Sequence, residues 1–599
     1  PDLVKQVVRK LRQEGPAPTY RTVMNRLEAP QPLGYSCAGL VEAVGEGVTG
    51  FAAGDRVACA GAGYANHAEW VCVPENLAVR VPDGVPLEKA AFATLGAIAL
   101  QGIRVASPTL GEIGVVVGLG LIGQLAVQLL RANGCRVLGI DVDPDRVKQA
   151  LDQGAEWADR PDADQTAWLE ATTGGHGADF ALVTAASESS APIQLAADLC
   201  RAKGRVVAVG TTAMYLDRRS VYDKELDLRM SMSYGPGRYD RRYEELGFDY
   251  PLAYVRWTEN RNLQAFVQLV EANAIDPARL DVQTVAFEQA EQTYAELARG
   301  ERGSLAVVFR YDRAATAERR LEISSAPSKA KDETGIAFIG AGNYARAVLL
   351  PAVNRCRGIR KLHVVTATGA SARRTAEKFG YATCGTDPQD VFEDPAVDLV
   401  FIATQHDTHA PLAEAALRAG KAVWLEKPVA LDEEQLERLA GAARETGAFL
   451  AVGFNRRFSR HARAIRSAFA DRRGPMAIRY TVAAGPPPAG SWHLDPGVGG
   501  GRIVGEACHF VDLCCYLAGA PPTTVFARTL GRDPQIDDST LLVLGFADGS
   551  TAAIEYLANT GSSLAKERWE VSADRRTASC NNFRASVLPN GKRVRTLNQ

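Results

Sequence analysis

The chain carries almost no excess charge of either sign, no uninterrupted apolar run of membrane length and no CxxC cysteine pair. Its 68 Lys and Arg nearly balance 70 Asp and Glu, leaving a formal net charge of -2. That balance removes the electrostatic case for nucleic acid or an anionic membrane surface as partner. The most apolar stretch, Gly114 to Leu130, is interrupted by Gln124 and makes a poor span. No secretory signal pattern opens the chain. The 11 cysteines lack the spacing of a metal knuckle, and the adjacent Cys514 and Cys515 cannot easily bridge each other. Free thiols in a reducing cytoplasm are the expectation. At 599 residues the chain exceeds one core and should divide into three or four domains. It opens at Pro1 without methionine and stops at Gln599 just after strand-like sequence, so residues missing at either end are expected.

What the chain does contain is two glycine fingerprints roughly 220 residues apart. The first, Gly118-Leu119-Gly120-Leu121-Ile122-Gly123, follows the apolar run Ile113 to Val117 and leads into a helix-like stretch. A second strand, Arg136 to Ile140, then ends in Asp141. Strand, glycine turn, helix, strand and acid together describe a dinucleotide site. Gly118, Gly120 and Gly123 let the backbone turn and approach a pyrophosphate, while the amides around Leu121 and Ile122 open the helix. Asp141 would accept from the ribose hydroxyls, which favours NAD.

The second fingerprint, Gly340-Ala341-Gly342-Asn343-Tyr344-Ala345, follows Gly335 to Ile339 and precedes a helix that Pro351 should end or kink. Its next strand, Leu362 to Val365, runs into Thr366-Ala367-Thr368 with no acid. NAD and NADP both stay open here: Ser371, Arg373 and Arg374 could embrace a 2′-phosphate, and an arginine pair just after a strand is as often a solvated helix start.

The texture of the chain sets the domain plan. Residues 1–28 are charged and helix-prone. Residues 1–87 read as a partial, glycine-punctuated β domain, and 88–240 alternate strand and helix as in a doubly wound sheet. Residues 241–311 return to the β domain, and 312–333, poor in apolar side chains, form a linker. Alternation resumes over 334–454, and 455–599 read as an α+β domain with a largely antiparallel sheet. The fold class is therefore α/β, with two Rossmann domains, one beside a small β domain and the other beside an antiparallel sheet.

Residues 30 to 311, from Leu33-Gly34-Tyr35-Ser36 through the first fingerprint, resemble the medium-chain dehydrogenase/reductase (alcohol dehydrogenase) family. The resemblance implies a GroES-like β domain and, in zinc-dependent members, a histidine ligand where this chain has Tyr35. The four-cysteine lobe is absent near Cys59 to Tyr64, and no Cys or Glu stands at 93–97. A zinc-independent member with no metal is the implied reading. Tyr35, Tyr64 and His67 become the candidates to polarise a carbonyl. The stretch from Tyr234 to Arg261 is dense in aromatics and arginines, so Arg238, Tyr239 and Arg256 are candidates for substrate binding; a domain interface would use the same residue types.

Residues 334 to 599 resemble the glucose-fructose oxidoreductase/inositol dehydrogenase (Gfo/Idh/MocA) family, through Phe401 to Ala410, Gly420 to Pro428 and the run Gly499-Gly500-Gly501 to Asp512. The resemblance implies that Gly340, Gly342, Asn343, Tyr344 and Thr366 meet the cofactor, together with Thr404, His409, Glu426 and Lys427. It makes Lys427 and His509 catalytic, with Glu506 near the place of the family's aspartate though the residue and spacing differ. A lysine beside a cationic nicotinamide would titrate low and could polarise the reacting hydroxyl. If residues 506–515 are helical, Glu506 and His509 share a face. Arg456, Trp492, Asp495 and His509 are the substrate candidates of this half.

Fusions of these two halves resemble bi-domain oxidoreductases for saccharides or nucleotide sugars. The expected protein is a cytoplasmic homo-oligomer that moves hydride between a nicotinamide and a sugar hydroxyl or ketone, with oxidation and reduction coupled between halves. The competing reading is a zinc-free enoyl or quinone reductase whose second half only binds nucleotide, as sensor or scaffold.

Overall fold

The computed structural model describes residues 32–161, 165–301, 303–312, 319–324, 333–486, 491–530, 539–561 and 564–596. The helix-prone segment 1–28 lies outside them. Two compact units emerge, Gln31–Ala317 and a second that takes in Glu318–Gln599.

In the first unit, Ser36–Leu40, Arg56–Ala60 and Ala78–Arg80 form a three-stranded antiparallel sheet. Six parallel strands follow in the order Trp157–Asp159, Arg136–Ile140, Ile113–Val117, Ala178–Val183, Cys200–Ala208 and Asp227–Met230. The central strand Ile113–Val117 is buried at every position, which is why it reads as a continuous apolar run rather than an alternating one. Reversal of strand order beside it creates the crevice where a doubly wound sheet binds its ligand. The return segment contributes the helix Glu259–Glu271, which lays Leu263, Phe266, Val267 and Val270 against the helix Ala93–Ala106. Gly96 is needed there, because a Cβ would fall onto the Phe266 ring. The segment also pairs Val282–Ala286 with Ala306–Arg310 in parallel.

The second unit holds a seven-stranded sheet in the order Arg320–Glu322, Thr383–Gly385, Ile359–Val365, Thr334–Ile339, Leu399–Ile402, Ala422–Leu425 and Leu450–Val452. All pairs are parallel except the first. Arg320–Glu322 lies inside the stretch read as linker, so part of that stretch is an edge strand. A three-residue edge strand needs only backbone partners and leaves no hydrophobic periodicity to read.

Eight strands make the last sheet, largely antiparallel as the alternation suggests, with Ala477–Ala483 parallel to Thr551–Leu557. Helices Arg460–Ala468 and Cys508–Ala518 share its core, where Phe510, Tyr480, Tyr556 and Trp569 meet. Side chains of that size each contribute roughly 1.5–3 kcal/mol when fully buried. No helix among the described residues is long and apolar enough to cross a membrane.

Candidate functional site

The first glycine turn is built as its sequence requires. Gly118 sits at φ +97°, and a Cβ on it would lie 2.5 Å from the Ala185 amide nitrogen. Gly123 packs its α carbon onto the Gly118 carbonyl, which closes helix against strand. Gly120 faces open space up to the Arg146 guanidinium and is the N-cap of Leu121–Ala132, with no side chain capping its first amides. An open glycine backed by free amides suits a pyrophosphate, so these residues fit a dinucleotide. Asp141 stands at the end of the second strand, buried. Its Oδ2 accepts from the Leu119 amide at 2.5 Å and its Oδ1 from the Asp143 amide at 2.9 Å. The acid therefore also staples the turn it serves.

Of the first half's catalytic candidates, the structure places Tyr64 with its hydroxyl on Glu245 at 3.4 Å. His67 donates or accepts at Nδ1 with the Tyr294 hydroxyl, 2.8 Å away, and meets the Phe309 ring edge-on. Its ring lies against Gly34, where no Cβ could stand. Burial pulls the imidazole below its ordinary range and pushes the phenol of Tyr35 up. The Tyr35 carbonyl accepts from Gly61 and Thr94, which fixes the strand end. Cys37 and Cys59 pair across the sheet, and among the described residues no three His, Cys, Asp or Glu side chains group as metal ligands.

The arginine-rich stretch is tightly engaged. Arg238 pairs with the buried Glu244 at 2.5 Å and lies over Tyr234 and Tyr239. Tyr239 itself is exposed, at φ +68°. Arg256 lies over Trp257.

In the second half Gly340 adopts φ +92° with its α carbon against the Ala403 carbonyl. A Cβ on Gly342 would meet nothing within 4 Å, so the backbone there is open. Asn343 receives Arg346 at 3.5 Å, and the Tyr344 hydroxyl accepts from Asn455 at 3.0 Å. A π turn, Ala345–Leu349, gives way to the short helix Leu350–Val353 at Pro351, which lacks the amide hydrogen an α turn needs. Thr366 is buried and donates to the Thr368 carbonyl at 2.8 Å, and Thr404 accepts from Thr408 at 2.7 Å.

Around Lys427 the predicted residues converge. Its Nζ donates to the Gly505 carbonyl at 2.7 Å, and burial draws it below the usual lysine range. Lys427-Pro428 is a cis peptide, and the Pro428 carbonyl meets His409 Nδ1 at 2.7 Å. Beside it Glu426 is buried and pushed up to about 7 by desolvation. His509 is buried, with Nδ1 lacking any partner among the described residues. Burial first, then the positive charges of Arg456, Lys427 and Lys566, drive it down to about 2, so it is neutral. For Glu506 burial opposes ionisation, but Lys566 and Arg502, with the Tyr556 hydroxyl at 2.9 Å, hold it below the ordinary carboxylate range.

Glu506 and His509, expected three apart on one α-helix, fall in two different helical turns. Ile503–Ala507 is a π turn and the α-helix begins at Cys508. Within that turn the Glu506 carboxylate accepts from the Tyr556 hydroxyl, and the Gly505 carbonyl takes Lys427. Arg456, read as a substrate ligand, is instead clamped on Glu567 at 2.9 and 2.7 Å, with the Tyr480 hydroxyl on the same carboxylate at 2.5 Å. Asp495 caps its own turn through the Gly497 amide. Trp492 stacks on His493 at 3.7 Å and meets His406 edge-on at 4.8 Å. His493, a weaker candidate beside Trp492 in the sequence, joins this cluster, and so does His406, to which sequence reasoning gave no role. His406 is buried, bonded through Nδ1 to the Gly499 carbonyl at 2.8 Å, and drawn to about 4 by burial. Its place beside His409 in the sequence is a readable signal; its meeting with the glycine run, 93 positions on, is not.

Comparison with known proteins agrees with this fold. The model "Oxidoreductase family, NAD-binding Rossmann fold" (Gfo/Idh/MocA) matches residues 334–454, and the Gfo/Idh/MocA C-terminal domain matches 463–579. An alcohol dehydrogenase GroES-like domain matches 13–83 and a zinc-binding dehydrogenase domain 122–246. Inositol 2-dehydrogenase of Rhizobium meliloti is 34% identical over 230 residues, covering 36% of this chain and 66% of its own. Myo-inositol 2-dehydrogenase of Thermotoga maritima is 29% identical, over 31% and 56%. The 1,5-anhydro-D-fructose reductase of Ensifer adhaerens is 33% identical, over 32% and 58%. The matched stretch thus spans 56 to 66% of these relatives. The chain is a fusion, an alcohol dehydrogenase-type N-terminal half joined to a C-terminal half of the Gfo/Idh/MocA oxidoreductase family.

Proposed function

We propose that the protein is a nicotinamide-dependent oxidoreductase acting on a hydroxyl or ketone of a saccharide or nucleotide sugar, with the firmer chemistry in its second half. One observation carries this reading: a desolvated lysine and a neutral histidine with a free ring nitrogen lie near enough for the charge of one to act on the other, in the unit that also holds an open glycine turn. The nicotinamide supplies or accepts the hydride. Lys427 is anchored by one hydrogen to Gly505 and keeps two to direct at the reacting oxygen. In the oxidative direction His509 takes the hydroxyl proton, and in the reductive direction it returns it. The Glu506 carboxylate favours the charged form of Lys427. The sugar dehydrogenase relatives support the substrate class. NAD in the first half and NAD or NADP in the second are the cofactors of this reading, and fusion of two redox halves supports coupled oxidation and reduction.

The test follows deuterium from labelled NADH and NADPH into product across a panel of inositols, aldoses and nucleotide sugars. Lys427→Met and His509→Asn should each lower turnover about 10²–10⁴-fold, the range of a positioned acid or base, while far-UV circular dichroism stays unchanged. Undiminished turnover in both variants would overturn the assignment. The enoyl-reductase reading gives another pattern: conjugated carbonyls reduced, sugars untouched, and no loss in Lys427→Met.

A further inference from the structure

The first half contains a cationic arrangement that no step above uses. The guanidinium carbons of Arg104 and Arg256 lie 3.2 and 3.8 Å from the centroid of the Trp257 indole. Two planar groups this close to one ring must occupy its opposite faces, because one face has room for only one of them. Each cation is attracted to the ring, yet the two repel each other. Arg104 makes one hydrogen bond, from Nε to Asn262 at 2.7 Å, and among the described residues neither arginine pairs with a carboxylate. Burial, then the charge of Arg256, pulls Arg104 down to about 10.

Arg256 is also a wall of a cavity of about 340 Å³, at the small end of ligand sites and of monosaccharide scale. The floor is pre-organised by amides: Gln264 donates to Asn260 at 2.6 Å, and Asn260 donates to the Asn76 carbonyl at 2.9 Å. The lining holds one carboxylate, Asp249, and it is bound by Arg261. Glu259, next to the lining, is fully buried, and desolvation pushes it up to about 8, which disfavours a negative charge there.

We propose that this cavity holds an anionic group of a sugar substrate of the first half, a phosphate ester or a carboxylate, with Arg256 in direct contact and Arg104 positioning it through Trp257. Guanidinium forks match both anions bidentately. The inference rests on the saccharide reading and adds the sign of the substrate's charge.

Titration calorimetry on the full chain with glucose 1-phosphate, UDP, glucuronate and neutral glucose tests it, with NADH titrated into the same preparation. At least one anion should bind, glucose at equal concentration should not, and Arg256→Ala should weaken the anion tenfold or more. Raising salt should weaken it further. Which probe binds distinguishes a phosphosugar, a nucleoside diphosphate and a uronate. Glucose binding as well as the anions, anion binding unchanged in Arg256→Ala, or no anion bound while NADH still binds would each overturn the site alone. Failure of NADH and anions together would overturn the dehydrogenase reading beneath it.

Discussion

Arg456→Met separates a structural arginine from a substrate ligand. In the folded chain the Glu567 carboxylate is buried and receives two hydrogen bonds from Arg456 and one from Tyr480. Methionine keeps the aliphatic stem but leaves that carboxylate with Tyr480 alone. Removing one partner of a buried pair costs about 3–5 kcal/mol, and losing two charge-assisted bonds at about 1.5–3 kcal/mol each gives a similar figure. At about 2–4 °C per kcal/mol for a domain of this size, the transition of the affected unit should fall by roughly 6–20 °C in scanning calorimetry. Arg456 holds Glu567 below the ordinary carboxylate range against the opposing effect of burial. That contribution is complete above the unfolded value near 4.5 and is lost as pH falls through the folded one. In Arg456→Met the sign reverses, since a buried unpaired carboxylate prefers its proton, and the variant's deficit should shrink on acidification. Arg456→Met/Glu567→Gln should recover more than half of the loss. A midpoint shift under 2 °C accompanied by a raised KM would refute the argument and return Arg456 to the substrate.

Three further outcomes follow from the same geometry. Gly340→Ala, whose methyl would collide with the Ala403 carbonyl at φ +92°, should destabilise the second unit, whereas Gly342→Ala should fold normally and lose dinucleotide affinity; equal effects in thermal melts would contradict this. Turnover in the second half should fall with rising pH at a value below 10.5, as the desolvated Lys427 loses its proton, and that limb should vanish in Lys427→Met. Burial and the neighbouring Arg374 disfavour the charge of Arg346, where the strand end lacks an acid, so Arg374→Ala should weaken NADP at least fivefold more than NAD; equal losses would argue against a 2′-phosphate site.

The two dinucleotide turns were legible because their physics is local: a positive-φ glycine, an open glycine and a helix start lie within six residues. Lys427 and His509 were legible through family resemblance, and the structure brings both to one place. The role of Arg456 was not, since an arginine after a strand reads the same whether its partner is a ligand or a glutamate 111 positions away. The helix type between Glu506 and His509 was not legible either. Spacing of three presumes an α-helix, and one π turn changes which residues share a face.

The sequence by itself determined the number of redox halves, their strand-helix alternation and their glycine turns, because hydrophobic period and glycine placement act over a few residues. Only the tertiary structure decided which charges are spent on one another and which stay available. Arg456 found Glu567, Arg261 found Asp249, and Arg104 met Arg256 across an indole with neither paired to a carboxylate among the described residues. Pairing is a contest among all groups that packing brings together, and its outcome depends on distances that exist only once the chain is folded.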